Sequence, residues 1–257
     1  MASRRRTAAG RTPRKGTTPA GRDNIAPVPL LLTETVGMAQ NPNIVLFSVH
    51  KDAMDAAVRA FETHWPTARV SNLLDDGLFA WVRQTGGVVP EMYDVFRTLT
   101  RYMVSRGADG ILFTCSAFRE VIDACIVEFD VPILKPNDAM IEQALAAGTR
   151  IAVMATVGPT IPSISAEIVA MAAARGQPVE LVPYVVEGAF DALAGGDAAK
   201  HDALVAARAR EIRDCDVIVL AQFTLSRAVP AVAAVSRIPV FNSPGAAVAK
   251  MRSMLGA

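Results

Sequence analysis

Ile44, Asp109 and Pro132 recur as Ile151, Asp216 and Pro239, each pair 107 residues apart in a chain of 257. Three positions that share one spacing mark an internal repeat, and a repeat constrains the fold before anything else is read. Around these anchors short apolar runs alternate with helical stretches. In the first half the pattern predicts strands over Ile44–Val49, Ala68–Leu74, Ile111–Thr114 and Val131–Leu134. Between and after them it predicts helices over Asp52–His64, Pro90–Arg106, a segment from about Ala117, and Ala139–Ala147, with a loop over Gly77–Val89. The second half repeats the order. Strands are predicted at Ile151–Ala155, Val179–Pro183, Asp216–Ala221 and Ile238–Phe241. Its helices run to about Arg175, over Glu187–Ala194, Ala198–Arg213 and Phe223–Val235, with a closing helix capped by Ser243. Only the second strand fits the common spacing poorly. Alternating strand and helix units imply parallel sheets with right-handed crossovers, and such sheets bind ligands beyond the carboxyl ends of their strands. Two facing halves put the site in the cleft between them.

Composition narrows the functional classes. Hydrophobic residues make up 51% of the chain, enough for one large core or two smaller ones. Net charge is +1, but residues 1–37 carry seven basic and two acidic side chains. The remainder holds nineteen basic against twenty-three acidic residues, a net of −4. A mildly acidic body argues against nucleic acid as the main partner. Residues 1–40 lack apolar periodicity and read as a disordered basic tail. Such an arm could touch nucleic acid or act as a transit peptide; the plainer readings are a dispensable tail or a true start at Met38. Cys115, Cys125 and Cys215 are scattered and odd in number, which suits reduced thiols in the cytoplasm. No apolar run approaches the roughly 18 residues of a membrane helix. No glycine-rich phosphate-binding run is present, and His50, His64 and His201 lack metal-ligand spacing.

Cys115 follows the Ile111-Leu112-Phe113 run and precedes a predicted helix. A helix N-terminus offers free N–H groups, binds anions and lowers a thiol's pKa. Cys115 is therefore a candidate thiolate beside a candidate carboxylate cradle; the alternative is a small buried apolar residue. At the 107-residue spacing Cys115 maps onto Gln222, within Leu220-Ala-Gln-Phe-Thr224.

These residues carry a resemblance. The two-halved layout, Thr114-Cys115-Ser116 after the third strand, and Ala155-Thr156 with Thr160 opening the second half resemble the aspartate/glutamate/hydantoin racemase superfamily. The likeness covers about Asn43 to Leu255, and Asn72–Asp76 with Leu220–Phe223 resemble a racemase-like branch with one catalytic cysteine. It implies an α/β fold of two flavodoxin-like lobes related by a pseudo-twofold. The expected lobes are 41–138 plus 243–257 and 139–242. It also implies an isomerase, free of cofactor and metal, in which two cysteines face each other across the cleft. One takes a proton from the carbon beside a carboxylate and the other returns one on the opposite face.

Carried across, Cys115 matches the first cysteine, and Thr114 and Ser116 the carboxylate cradle. Thr156 and Thr160 match hydroxyls opening the second half, and Ser48 a polar contact ending the first strand. Gln222 stands where the second cysteine would be, and an amide is no general base. His50 is a candidate second base, or a surface histidine. Alternatively the reaction uses one thiol, as a decarboxylase or a maleate-type cis–trans isomerase, with Gln222 orienting substrate. A third class is a carboxylate-binding protein without turnover. In each case the partner is a small carboxylate or amino-acid-like molecule, with no membrane or nucleic acid, and the chain is a candidate homo-oligomer. Cys125 and Cys215 read as core. Asp75 and Asp76 read as residues of the cleft mouth or, more plainly, as turn residues before Gly77. Lys135 reads as a carboxylate partner or a surface lysine, and Arg119 and Arg227 read as solvent-facing.

Overall fold

A computed structural model describes residues 41–257; the expected basic tail lies outside the described residues. Eight strands form two parallel sheets with strand orders β2-β1-β3-β4 and β6-β5-β7-β8. The first sheet comprises β1 (Asn43–Ser48), β2 (Arg69–Leu74), β3 (Gly110–Phe113) and β4 (Ile133–Leu134). The second comprises β5 (Arg150–Ala155), β6 (Glu180–Val185), β7 (Val217–Leu220) and β8 (Val240–Asn242). The inner strands are buried throughout β3 and β7, which is why they read as unbroken apolar runs rather than alternating ones.

The repeat is exact where the backbone is anchored. Asp109 N–H donates to Asn43 C=O at 2.9 Å, and Asp216 N–H to Arg150 C=O at 2.8 Å. The Asp109 carboxylate accepts from Asn43 N–H, as that of Asp216 does from Arg150 N–H. Ile111 N–H donates to Pro132 C=O, and Ile218 N–H to Pro239 C=O. β1, β3 and β5, β7 keep the 107-residue spacing, whereas β6 begins 111 residues after β2.

Helices cover both faces of each sheet. One face of the first sheet presents Val45, Phe47, Ile111 and Phe113 to α2 (Gly77–Thr85), α3 (Pro90–Ser105) and α4 (Arg119–Glu128). The other presents Ile44, Leu46 and Leu112 to α1 (Lys51–His64) and to α10 (Ser243–Met254), the last helix of the chain. At Gly110 a Cβ would lie 2.5 Å from Met251 Sδ, so α10 rests directly on β3. Conversely α5 (Asp138–Ala147), which follows β4, packs with α6 (Thr160–Ala174) on Ile151, Val153, Val217 and Val219 of the second sheet. The far face of that sheet holds α7 (Ala189–Ala194), α8 (Ala198–Ala209) and α9 (Val229–Ala233). Among the described residues no helix is long and apolar enough to cross a membrane.

Four expectations need correction. Gly77–Thr85 is a helix, not a loop: Leu78 and Val82, one turn apart, are buried on the first core, and Gly86 ends the helix at φ 73°. The segment after Cys115 begins with a three-residue 3-10 turn, Ser116–Phe118, before α4. Phe223–Ala228 is likewise a 3-10 turn before the short α9. Ser243 does not cap α10; the Asn242 side chain accepts from Gly245 N–H at 2.9 Å instead.

Candidate active site

In both sheets the chain turns opposite ways from the two central strands, β1 and β3 or β5 and β7, and the crevice beyond their carboxyl ends is where this architecture takes ligands. Cys115 and Gln222 occupy equivalent places there. Each is the extended residue that leads from its strand into a 3-10 turn, at φ −126°, ψ 120° and φ −139°, ψ 141° respectively.

The two crevices are furnished differently. In the first, Thr114 donates its hydroxyl to Ser48 Oγ at 2.9 Å, a bond inside the protein, since Ser48 has no exposed surface. Cys115, the next residue, is partly exposed, and the Ala117 N–H bonds to its sulfur. Burial pushes the thiol's pKa up and the Ala117 bond only partly offsets this. The lowered value expected from a helix N-terminus is not found. A 3-10 turn of three residues, with α4 starting only at Arg119, supplies one N–H to the sulfur rather than a full helical end.

In the second crevice Ala155 and Ala221 replace Ser48 and Thr114. One step further out, Thr156 donates its backbone N–H at 2.6 Å and its hydroxyl at 2.9 Å to Oε1 of Gln222. Thr156 is buried and Gln222 partly exposed. In the first lobe the residue equivalent to Thr156 is Val49, which has no hydroxyl, so Cys115 lacks such a tie. Thr160 begins α6 and Ser116 begins the 3-10 turn; both are partly exposed. His50 is exposed at the start of α1, on the same lobe as Cys115, with its ring 4.2 Å from that of Phe79.

The turns after β3 and β7 reach across to the opposite lobe. Phe223, next to Gln222, is buried against α1 and α10. Arg119, four residues after Cys115, pairs with Asp138 at 2.8 Å and with Glu167 of α6 at 3.1 Å. Arg119 thus does not simply face solvent. Nor does Lys135, which lies between Asp123 at 2.6 Å and Asp138 at 3.1 Å. Arg227 pairs with Asp202, which also holds Nδ1 of the fully buried His201 at 2.8 Å. Asn137 turns its amide to Glu167, and Oδ1 accepts from Ser243, so it caps nothing with its side chain. Glu167 escaped sequence reading because nothing marks one acid within an alanine-rich helix; burial raises its pKa, with the Asn137 bond and Arg119 opposing. Cys125 is buried beside Thr100, and Cys215 precedes β7 at the far end of that strand. Asp75 N–H donates to Ser48 C=O and its carboxylate accepts from Gly77 N–H, ordinary turn bonding. Among the described residues no cluster of three or more His, Cys, Asp or Glu could hold a metal ion. A surface hollow of 670 Å³ between β8 and α10 contains none of the crevice residues.

A model of the Asp/Glu/hydantoin racemase family matches residues 82–251. No curated protein matches the chain in sequence. Three solved structures are similar in fold. An aspartate racemase homologue from Pyrococcus horikoshii OT3 aligns with TM-score 0.63 at 15% identity, over 84% of this chain and 99% of that one. Allantoin racemase from Klebsiella pneumoniae aligns with TM-score 0.59 at 15% identity, over 84% and 88%. Glutamate racemase from Francisella tularensis in complex with D-glutamate aligns with TM-score 0.56 at 11% identity, over 84% and 82%.

Proposed function

The chain belongs to the Asp/Glu/hydantoin racemase family, and from that premise we propose that it is a cofactor-independent isomerase in which Cys115 moves a proton at a carbon next to a carboxylate or carbonyl. The observation that carries this reading is the position of Cys115 beyond β3, partly exposed, with the Ala117 N–H on its sulfur. Carbon acids are weak, and a thiolate, from a free thiol of pKa about 8.5, is a stronger base than a carboxylate or an imidazole. As base, the sulfur takes the proton while the C–H electron pair settles on the neighbouring oxygen as an enolate. As acid, the thiol returns a proton to that carbon. Each donor aimed at the developing oxyanion is worth roughly 3–4 kcal/mol. In this reading Ser116, Thr160 and Gln222 contact the substrate directly, Thr114 and Ser48 shape the floor, and Thr156 holds Gln222. His50 is the candidate for a second base. The lobes are 41–138 with 243–257, and 139–242, and the substrate is a small carboxylate or amino-acid-like molecule. The three unpaired cysteines suit a cytoplasmic enzyme.

A second reading is favoured by the amide at Gln222 and by the burial that raises the pKa of the Cys115 thiol. A neutral thiol is a proton donor, which suits a one-thiol decarboxylase or cis–trans isomerase. The deciding experiment incubates wild type and Cys115→Ser in D₂O with aspartate, glutamate, substituted hydantoins, maleate and arylmalonates, read by NMR. Cys115-dependent exchange with inversion supports the isomerase. Evolved carbon dioxide, or fumarate from maleate, supports the one-thiol reading. Tight binding without any Cys115-dependent change defeats both.

A further inference from the structure

We infer that the outer edge of β2 is a docking surface for a second copy of this chain, the two β2 strands pairing antiparallel about a two-fold axis at Asn72. The inference concerns assembly and stands apart from the reaction proposed above.

β2 is an outermost strand of the first sheet, and no strand pairs with its outer edge among the described residues. Its ladder to β1 fixes which groups face outward. Arg69 N–H donates to Pro42 C=O, and Asp75 N–H to Ser48 C=O. Alternate residues of a strand turn both backbone groups to the same side, so Arg69, Ser71, Leu73 and Asp75 face β1. Val70, Asn72 and Leu74 therefore present an unbroken row of N–H and C=O groups at the outer edge, a template for another strand. The other edges are blunted. β4 and β8 have two and three residues. β6 has six, but Glu180 N–H donates to Thr149 C=O, so its outward row is Leu181, Pro183 and Val185. Pro183 has no N–H to give. Pro183 also stands at the place equivalent to Asn72, since the two pair with Val153 and Leu46, which keep the repeat spacing. The second lobe thus closes its edge at the very position that the first leaves open.

The side chains point to a second copy as the occupant. With Asn72 opposite Asn72, the three outward residues all pair, Val70 meeting Leu74 of the second copy. On the other face Arg69 meets Asp75 of the second copy. Both pairs occur twice, as a two-fold contact requires, and opposite charges and apolar side chains are favourable partners across strands. Sliding the pair by two residues either way separates Arg69 from Asp75 and Val70 from Leu74. Arg69 is exposed and forms no ion pair among the described residues. The Asp75 carboxylate accepts only from Gly77 N–H there. Leu74 is 40% exposed. Val70 borders a hollow of 260 Å³ with Val58 and Trp65, on the face that carries α1. Leu74 of the second copy comes to lie beside that hollow and covers its apolar wall.

Sedimentation velocity of the full chain across a micromolar dilution series tests this. Wild type is expected to dimerise. Asn72→Pro removes an outward N–H and leaves the ladder to β1 intact, as Pro183 does in the second lobe. It should raise the dimer Kd at least about a hundredfold with the Tm of the dilute chain unchanged; Arg69→Glu, which sets like charges opposite each other, should raise it about tenfold. Residues paired across antiparallel strands have Cα atoms about 5.5 Å apart, within reach of a disulfide. Asn72→Cys should therefore cross-link to its own copy with oxygen and copper as oxidant, above the wild-type background, and Val70→Cys, which faces Leu74, should not. A monomeric wild type overturns the inference, as does a dimer that Asn72→Pro leaves intact. Cross-linking of Val70→Cys as readily as Asn72→Cys overturns it too. A monomer whose Tm falls with Asn72→Pro shows that another segment of the same chain already covers the edge, and likewise overturns it.

Discussion

Ser243, fully buried, donates its hydroxyl to Asn137 Oδ1 at 2.9 Å. Asn137 lies where the chain leaves the first sheet for α5, and Ser243 where it leaves the second sheet for α10. This bond ties the only two segments that exchange a helix between the sheets among the described residues. Removing a buried donor leaves its acceptor unsatisfied. Ser243→Ala is expected to cost about 1–3 kcal/mol in urea unfolding, and Ser243→Thr to cost less if the hydroxyl keeps its partner.

Cys115 should titrate late. Its thiol pKa is raised by burial, the Ala117 bond offsetting only part. Alkylation by iodoacetamide should therefore rise with a midpoint above the roughly 8.5 of a free thiol. Small dicarboxylates should slow it. A midpoint below that of a free thiol would show that the sulfur meets a stronger positive field than Ala117 provides.

Thr156 acts through Gln222. Thr156→Val keeps the backbone tie but deletes the hydroxyl, so the amide is held by one bond in place of two. KM should rise several-fold, near the roughly 1 kcal/mol of one net hydrogen bond. The alkylation rate of Cys115 should stay unchanged. Thr156→Ser should restore KM, whereas a purely structural role would move stability and leave KM alone.

Glu167 makes stability depend on pH in an unusual sense. Its pKa is raised by burial, against the opposing pull of the Asn137 bond and Arg119. The folded chain therefore binds its proton before the unfolded chain does. Stability should fall as pH rises from the ordinary glutamate range, about 4.3, through the raised folded value. Urea titrations across that window should show the slope in wild type and lose it in Glu167→Gln. Arg119→Met, which strips the carboxylate of its cation, should destabilise by about 1–3 kcal/mol.

Asp202 has the opposite sign. Burial raises its pKa, but Arg227 and His201 outweigh that and hold it below the usual carboxylate range. Its contribution is present above the unfolded value, about 3.9, and is lost as pH falls through the folded one. Asp202→Asn should blunt acid unfolding in that range, read by circular dichroism. It should also loosen the turn carrying Arg227, five residues beyond Gln222.

What the sequence determined by itself was the repeat and the order of its strands, with ends displaced by one or two residues. Ile44, Asp109 and Pro132 each recur at one spacing because each anchors a backbone bond within or beside a strand, and backbone bonding tolerates no change of register. Cys115 was found from its place between an apolar run and a predicted helix, and Gln222 from Cys115 by the same spacing. The lobe containing α2 was less legible, since Leu78 and Val82 make too short an apolar stripe to stand out beside two glycines. Tertiary structure alone decided the polar contacts. Arg119 and Arg227 look solvent-facing in sequence and Lys135 reads as a carboxylate partner or a surface lysine; only folding brings acids from α4, α5, α6 and α8 within 3.1 Å of them. The Thr156–Gln222 bond joins residues 66 apart, and the raised pKa of Cys115 depends on what packs over it. Strand pattern is a local property of the chain, whereas burial and the orientation of an amide belong to neighbours that sequence order does not name.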